Sequence, residues 1–193
     1  MHSLPYNLEL AQAIINQLEP YLLSNEVFWP LGGKSSDGDV FPRGSLGQLL
    51  LTLDELSVLA EEMDPAQITT YHGQQTAFKN YRQEHPAILE AKAWAEVDQR
   101  LNLWRSLLRD IREGERGTGS YRTDVRQRFL LTRLQTFLTN EQKLRKLHSE
   151  LSQLDGVLRA RFESGEFQWH PRLRYLYNHD DYWFLYGHPA AAS

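Results

Sequence analysis

Six apolar residues, Trp94, Val97, Leu101, Trp104, Leu108 and Ile111, recur at alternating spacings of three and four. A helical turn takes 3.6 residues, so this interval lines all six along one face of an α-helix. A strand would bring every second residue to one face, which this stretch does not do. The stripe is a seam that has to be buried against another helix. Pro86 opens the segment, and a glycine-rich turn from Gly114 to Ser120 closes it. Beyond that turn Val125, Phe129, Leu130, Leu134, Phe137 and Leu138 resume helical spacing. The pair predicts a long antiparallel helical hairpin over residues 86–138.

The rest of the chain fits around such a spine. Leu8, Ala11, Ile14, Ile15, Leu18 and Leu22 predict a helix from about Pro5 to Leu23, kinked where Pro20 lacks a donor. Ser45-Leu46-Gly47-Gln48 reads as a capping box that starts a second helix. Asp64-Pro65-Ala66-Gln67 starts a third over about 65–84, with Asp as cap and Pro in the first helical position. A helical period runs on from 121 to Phe162 and stops at Gly165, and capping chemistry at Thr139-Asn140 leaves open whether that is one helix or two. Residues 24–44 form an irregular connection, with an aromatic piece packed on the body and a mobile polar piece from Gly32 to Asp39. After Gly165 the chain turns aromatic, with a short helical turn after Pro171 and an extended segment at 182–186. So many rings would seldom be left in water, so this segment should dock on the helices.

The expected fold class is therefore all-α: an irregular helical bundle of five to six helices, with the long antiparallel hairpin and a docked aromatic C-terminal segment. With 193 residues and 41% hydrophobic content the chain can bury a core of its own. One helical domain over 1–188 is expected, with 189–193 as a frayed tail. Cysteine is absent, which removes disulfides, thiol catalysis and thiolate metal sites. No secretory signal and no apolar run of roughly 18–20 residues occurs, so a cytoplasmic protein with no membrane partner is expected.

The net charge of −4 conceals an asymmetry. Residues 1–99 carry 5 basic against 14 acidic side chains, residues 100–146 carry 12 against 5, and residues 147–193 carry 4 against 6. Arginines crowd the tip of the predicted hairpin, and Arg112, Arg116, Arg122 and Arg126 are the candidate anion or nucleic-acid patch, since a guanidinium fork grips two phosphate oxygens at once. Against this, the pI is about 6.0, and acids within and before the hairpin can neutralise the arginines internally.

Other constellations are weaker. His170, His179 and His188 flank Asp180 and Asp181, but at no recognised metal-ligand spacing. Arg43-Gly44-Ser45-Leu46-Gly47 approaches a nucleophile elbow, yet Ser45 is already accounted for as a helix cap. The carboxylates Asp54, Glu55, Glu61, Glu62 and Asp64 sit where helical acids usually face solvent. No catalytic residue, cofactor-binding motif or metal ligand is assigned. Phe28, Trp29, Tyr182 and Trp183 are the candidate partner or pocket aromatics. These features lead to a non-enzymatic protein-binding or scaffold role, with an unknown protein partner or self-association. Phosphate-backbone binding through residues 100–133 is the first alternative. A small-ligand protein or enzyme with a pocket near loop 24–44 is the second.

Overall fold

The computed structural model describes residues 2–114 and 118–190. The all-α class holds: helices dominate, and among the described residues the sheet is a single pair of short strands. The contacts divide the chain into two compact units, residues 1–96 and 97–193. Helix α5 (Pro86–Glu113) passes from one into the other. More helical segments occur than the five to six expected, because two of the predicted helices are interrupted.

In the first unit, the helix predicted to Leu23 is split into α1 (Leu4–Asn16) and α2 (Leu18–Leu23). Pro20 falls in the first turn of α2, where a missing N–H leaves no helical bond unmade. The break thus comes at Gln17, ahead of the proline and not at it. α1 packs on α3 (Leu46–Val58) and α4 (Pro65–Glu84), burying Leu10, Ala11, Ile14, Leu46, Leu49 and Leu56. Ser45 caps α3 by accepting from the Gln48 N–H at 3.1 Å. The Gln48 amide turns onward to Thr52 Oγ1. In α4 both arms of the box close: Gln67 N–H donates to Asp64 Oδ1 at 2.8 Å, and Asp64 N–H donates to Gln67 Oε1 at 3.0 Å.

Gly73 lies on the exposed face of α4, with an ordinary helical backbone and open space where a Cβ would stand. Gly73→Ala should therefore stabilise the protein by about 0.5–1 kcal/mol, read as a higher denaturant midpoint at unchanged slope.

The connection from 24 to 44 is irregular but hydrogen-bonded. Trp29 and Gly44 exchange two backbone bonds at 2.8 Å. The polar piece expected to be mobile is a closed turn: Ser35 N–H donates to Asp39 O, Gly38 N–H to Ser35 O, and Glu9 accepts from the Ser36 N–H at 2.7 Å.

The second unit holds the rest of α5, α6 (Tyr121–Asp124), α7 (Arg126–Leu134), α8 (Glu141–Arg159), β1 (Phe162–Phe167) and β2 (Tyr186–Pro189). Short 3-10 turns lie at Thr118–Ser120, Gln135–Phe137, Pro171–Tyr175 and Trp183–Leu185. The question left open at Thr139-Asn140 is settled: the helix breaks, and Asn140 restarts α8 by accepting from the Lys143 N–H at 3.0 Å. Two expectations are corrected. Phe162, expected to lie at the end of a helix that stops at Gly165, instead begins strand β1, paired antiparallel with β2. Residues 183–185, expected to be extended, form a 3-10 turn. Phe162 keeps its apolar environment in the strand, with its ring against Tyr121 and Trp183, so packing overrides the helical period there.

The aromatic segment docks as expected. Phe129 on α7 is its anchor, ringed by Trp169 and Tyr177, both at 4.7 Å between centroids, and by Tyr182 at 5.7 Å. Tyr121 is buried and donates its hydroxyl to Phe184 O at 2.8 Å. Burial, and then the charge of Asp155, hold that phenol well above its usual range, with Arg128 pulling the other way. Of the expected frayed tail, Pro189 is the last residue of β2, and Ala190 N–H donates to Arg161 O at 2.6 Å. Residues 191–193 lie outside the described residues.

Candidate functional site: a polar groove between α7 and α8

Arg128 on α7 is nearly buried and meets Asp155 on α8 through both ends of its fork, Nε to Oδ1 and Nη2 to Oδ2, each at 2.8 Å. Its remaining nitrogen, Nη1, donates to Thr132 Oγ1 at 2.6 Å. The guanidinium also lies 4.6 Å from the centre of the Phe184 ring. A bidentate pair clamped on three sides fixes the spacing and rotation of the two helices.

Alongside the clamp the helices leave an open groove of about 740 Å³. Thr132, Arg133, Gln135 and Thr136 line it from the α7 side, and His148, Ser152, Gly156 and Arg159 from α8. Asp181 and Tyr182 complete the lining. On α8, His148, Ser152 and Gly156 recur every fourth residue, beside the buried seam of Leu147, Leu151 and Leu158. His148 Nε2 lies 2.8 Å from Gln135 Oε1 across the groove. From His148 to Arg159 the groove follows α8 for about 16 Å, at 1.5 Å rise per residue.

Two features distinguish the groove. Gly156 offers empty space: a Cβ there would meet no atom within 4 Å. Arg159 is exposed and stacks its guanidinium 3.6 Å from the centre of the Trp183 ring. Among the described residues no carboxylate pairs with it. A cation over a ring face is attracted by the ring quadrupole without using up its N–H donors.

The expected site residues are distributed differently. Tyr182 lines the groove, and Trp183, buried, is the platform under Arg159. Phe28 and Trp29 belong to the first unit, where Trp29 sets its ring edge-on to Tyr21 at 6.4 Å. Neither lines the 400 Å³ depression beside the start of the 24–44 loop, whose walls are Leu22, Ser24, Asn25, Ala87, Ile88, Ala91, Lys92 and Ala95. In that depression Lys92 is 6% exposed and donates to Ser24 O at 2.8 Å and Glu26 O at 2.7 Å. Burial lowers its pKa, and Glu26 opposes the shift. This amine closes the carboxyl end of α2.

In the arginine patch, Arg112 is exposed and lies 3.5 Å from Glu113. Arg122 is exposed, and its carbonyl accepts from the Trp169 indole. Arg126 is half-buried with partners of its own. Arg116 lies outside the described residues. Neighbouring arginines also meet carboxylates of their own unit: Arg105 with Glu150 and Arg109 with Asp110.

Other groups with chemical potential are engaged structurally. Ser45 is buried and donates to Glu96 Oε1 at 2.8 Å, while Gly47 N–H donates to Glu96 Oε2 at 3.0 Å. Glu96 is 0% exposed and so serves as the anion at the amino end of α3. His170 caps the turn that begins at Pro171, His179 lies 3.9 Å from Asp180, and His188 lies 3.0 Å from Pro189 O. Among the described residues, no three histidines or carboxylates converge as a metal site, and no helix is long and apolar enough to cross a membrane.

Sequence spacing missed the groove because its residues span 128 to 182 and form no motif. The one signal was the glycine at 156 on the flank of an otherwise regular helix. No known protein-family model, curated protein or solved structure is significantly similar to the chain.

Proposed function

We propose that this chain is a non-enzymatic binding protein, and that it holds a segment of a protein partner in the groove between α7 and α8. The single observation that carries the reading is the groove itself: 740 Å³, open to solvent, polar-walled and held at fixed width by the Arg128–Asp155 clamp. Its volume falls in the range of about 300–1,000 Å³ typical of ligand sites. Its length suits about five residues of extended chain, at ~3.3 Å each. The phosphate-backbone alternative has less support, because Arg105, Arg109, Arg112 and Arg128 each lie against a carboxylate.

Gly156→Trp supplies the test, since it puts an indole into the groove from a position that touches nothing else. Random displayed peptides selected on the wild-type protein should enrich for binders, and those binders should lose at least about tenfold in affinity, 1.4 kcal/mol, on the Trp variant. Binders indifferent to Gly156→Trp, or no enrichment at all, would count against the groove as the binding seat.

A further inference from the structure

We infer that Arg159 is the recognition residue of this groove, and that it takes a carboxylate from an acidic residue of the bound protein segment. The inference rests on the reading of the groove as a protein-binding seat and adds its specificity. Three observations support it.

First, Arg128 and Arg159, two of the three arginines that line the groove, differ in what they have left to offer. Arg128 spends its Nε and Nη2 on Asp155 and its Nη1 on Thr132, so its charge is already paired within the fold. Arg159, four residues beyond Asp155 on the same helix, has no carboxylate partner among the described residues. The clamp neutralises Asp155, so that acid does not cancel the field of Arg159.

Second, Arg159 is held in place. Its guanidinium carbon lies over the buried Trp183 ring, 3.6 Å from the centre, and Trp183 is itself fixed edge-on by Phe162 at 5.1 Å and Phe184 at 5.9 Å. A free arginine on a helix surface loses rotamer entropy when it binds, whereas a stacked one has already lost much of it. Its planar donor edge then matches a carboxylate in two parallel bonds.

Third, the rest of the groove suits a peptide better than a bare ion. Ser152 presents an exposed hydroxyl on the α8 wall, and Gly156 lets a main chain approach the helix closely. Asp181, an exposed lining residue, is already bonded by the Asn178 side chain at 2.9 Å and repels a second acid placed beside it. One acid next to Arg159, followed by neutral residues, is the pattern that fits.

The test uses fluorescence anisotropy with two labelled pentapeptides, Glu-Ser-Gly-Ser-Ala and Gln-Ser-Gly-Ser-Ala, together with inorganic phosphate, on the full chain. The Glu peptide should bind at least about tenfold tighter than the Gln peptide. Arg159→Gln should erase that difference, and Arg159→Lys should restore part of it by returning charge without the fork. Unchanged helical circular dichroism confirms that each variant is folded. If both peptides bind alike and Gly156→Trp still blocks them, the groove stands and the carboxylate inference falls. If neither binds, both readings fall. If phosphate displaces the Glu peptide at concentrations well below those of the peptide itself, the site is one for a free oxyanion, and the protein-segment inference is overturned.

Discussion

Replacing Arg128 with leucine should destabilise the protein by about 3–5 kcal/mol, the cost of leaving one half of a buried ion pair uncompensated. The side chains are 10% and 16% exposed, so water cannot solvate the abandoned Asp155 carboxylate well. Arg128→Leu also strips the donor from Thr132 and the cation from the Phe184 ring. Replacing both partners, Arg128→Leu with Asp155→Leu, removes the orphaned charge and should recover most of the loss, since well-packed apolar pairs often match buried ion pairs. The measurement is a double-mutant cycle by chemical denaturation, with coupling of several kcal/mol expected. A single-mutant cost below about 1 kcal/mol would mean that the pair behaves like an exposed one and does not clamp the groove.

The other large effect belongs to Gly187. Its φ is +144°, a backbone conformation that L side chains rarely adopt. A Cβ built there would stand 2.1 Å from Glu163 O on the paired strand, a backbone atom that cannot swing aside. Gly187→Ala should therefore part β1 from β2 at a cost of about 3 kcal/mol or more, from strain and clash together. Gly165, its close neighbour across the pair, is the control: a Cβ there meets Gly187 Cα at an ordinary 3.8 Å, so Gly165→Ala should be near neutral. Tryptophan emission reads the difference, because Trp183 packs on Phe162 of β1 and should redden when the strands separate. Equal effects at the two glycines would show that the strand pair is not held as described.

Which parts of this fold were readable in advance follows from how local their causes are. The start of α4 is written in four adjacent residues, Asp64 to Gln67, whose mutual hydrogen bonds need nothing from elsewhere in the chain. Asn140 restarts α8 by the same short-range chemistry. The strands were hidden because their pairing joins residues distant in sequence, from Phe162 with Pro189 to Phe167 with Tyr186. Phe162 also continues the heptad-like spacing of α8, so periodicity pointed the wrong way. The turn at 35–39 was read as mobile because its sequence is small and polar, whereas a buried Ser35 side chain and Glu9 of α1 tie it down. For the groove, Tyr182 and Trp183 were flagged as aromatics but not as one wall and one platform. The significance of Arg159 depends on Trp183 lying beneath it, a contact across 24 positions of sequence. The arginines nearest the hairpin tip drew attention by number, while the one with a free donor edge in the groove stood alone at the end of α8.

The central claim, that the α7–α8 groove is a binding seat, is tested most directly by mapping backbone amide NMR shifts as the Glu pentapeptide is added to the full chain. The largest saturable changes should fall on Thr132–Thr136, on the His148–Arg159 face of α8 and at Asp181–Trp183. These changes should vanish in Gly156→Trp. Saturable shifts centred elsewhere, or changes that persist with the groove filled, would rule out the groove as the seat.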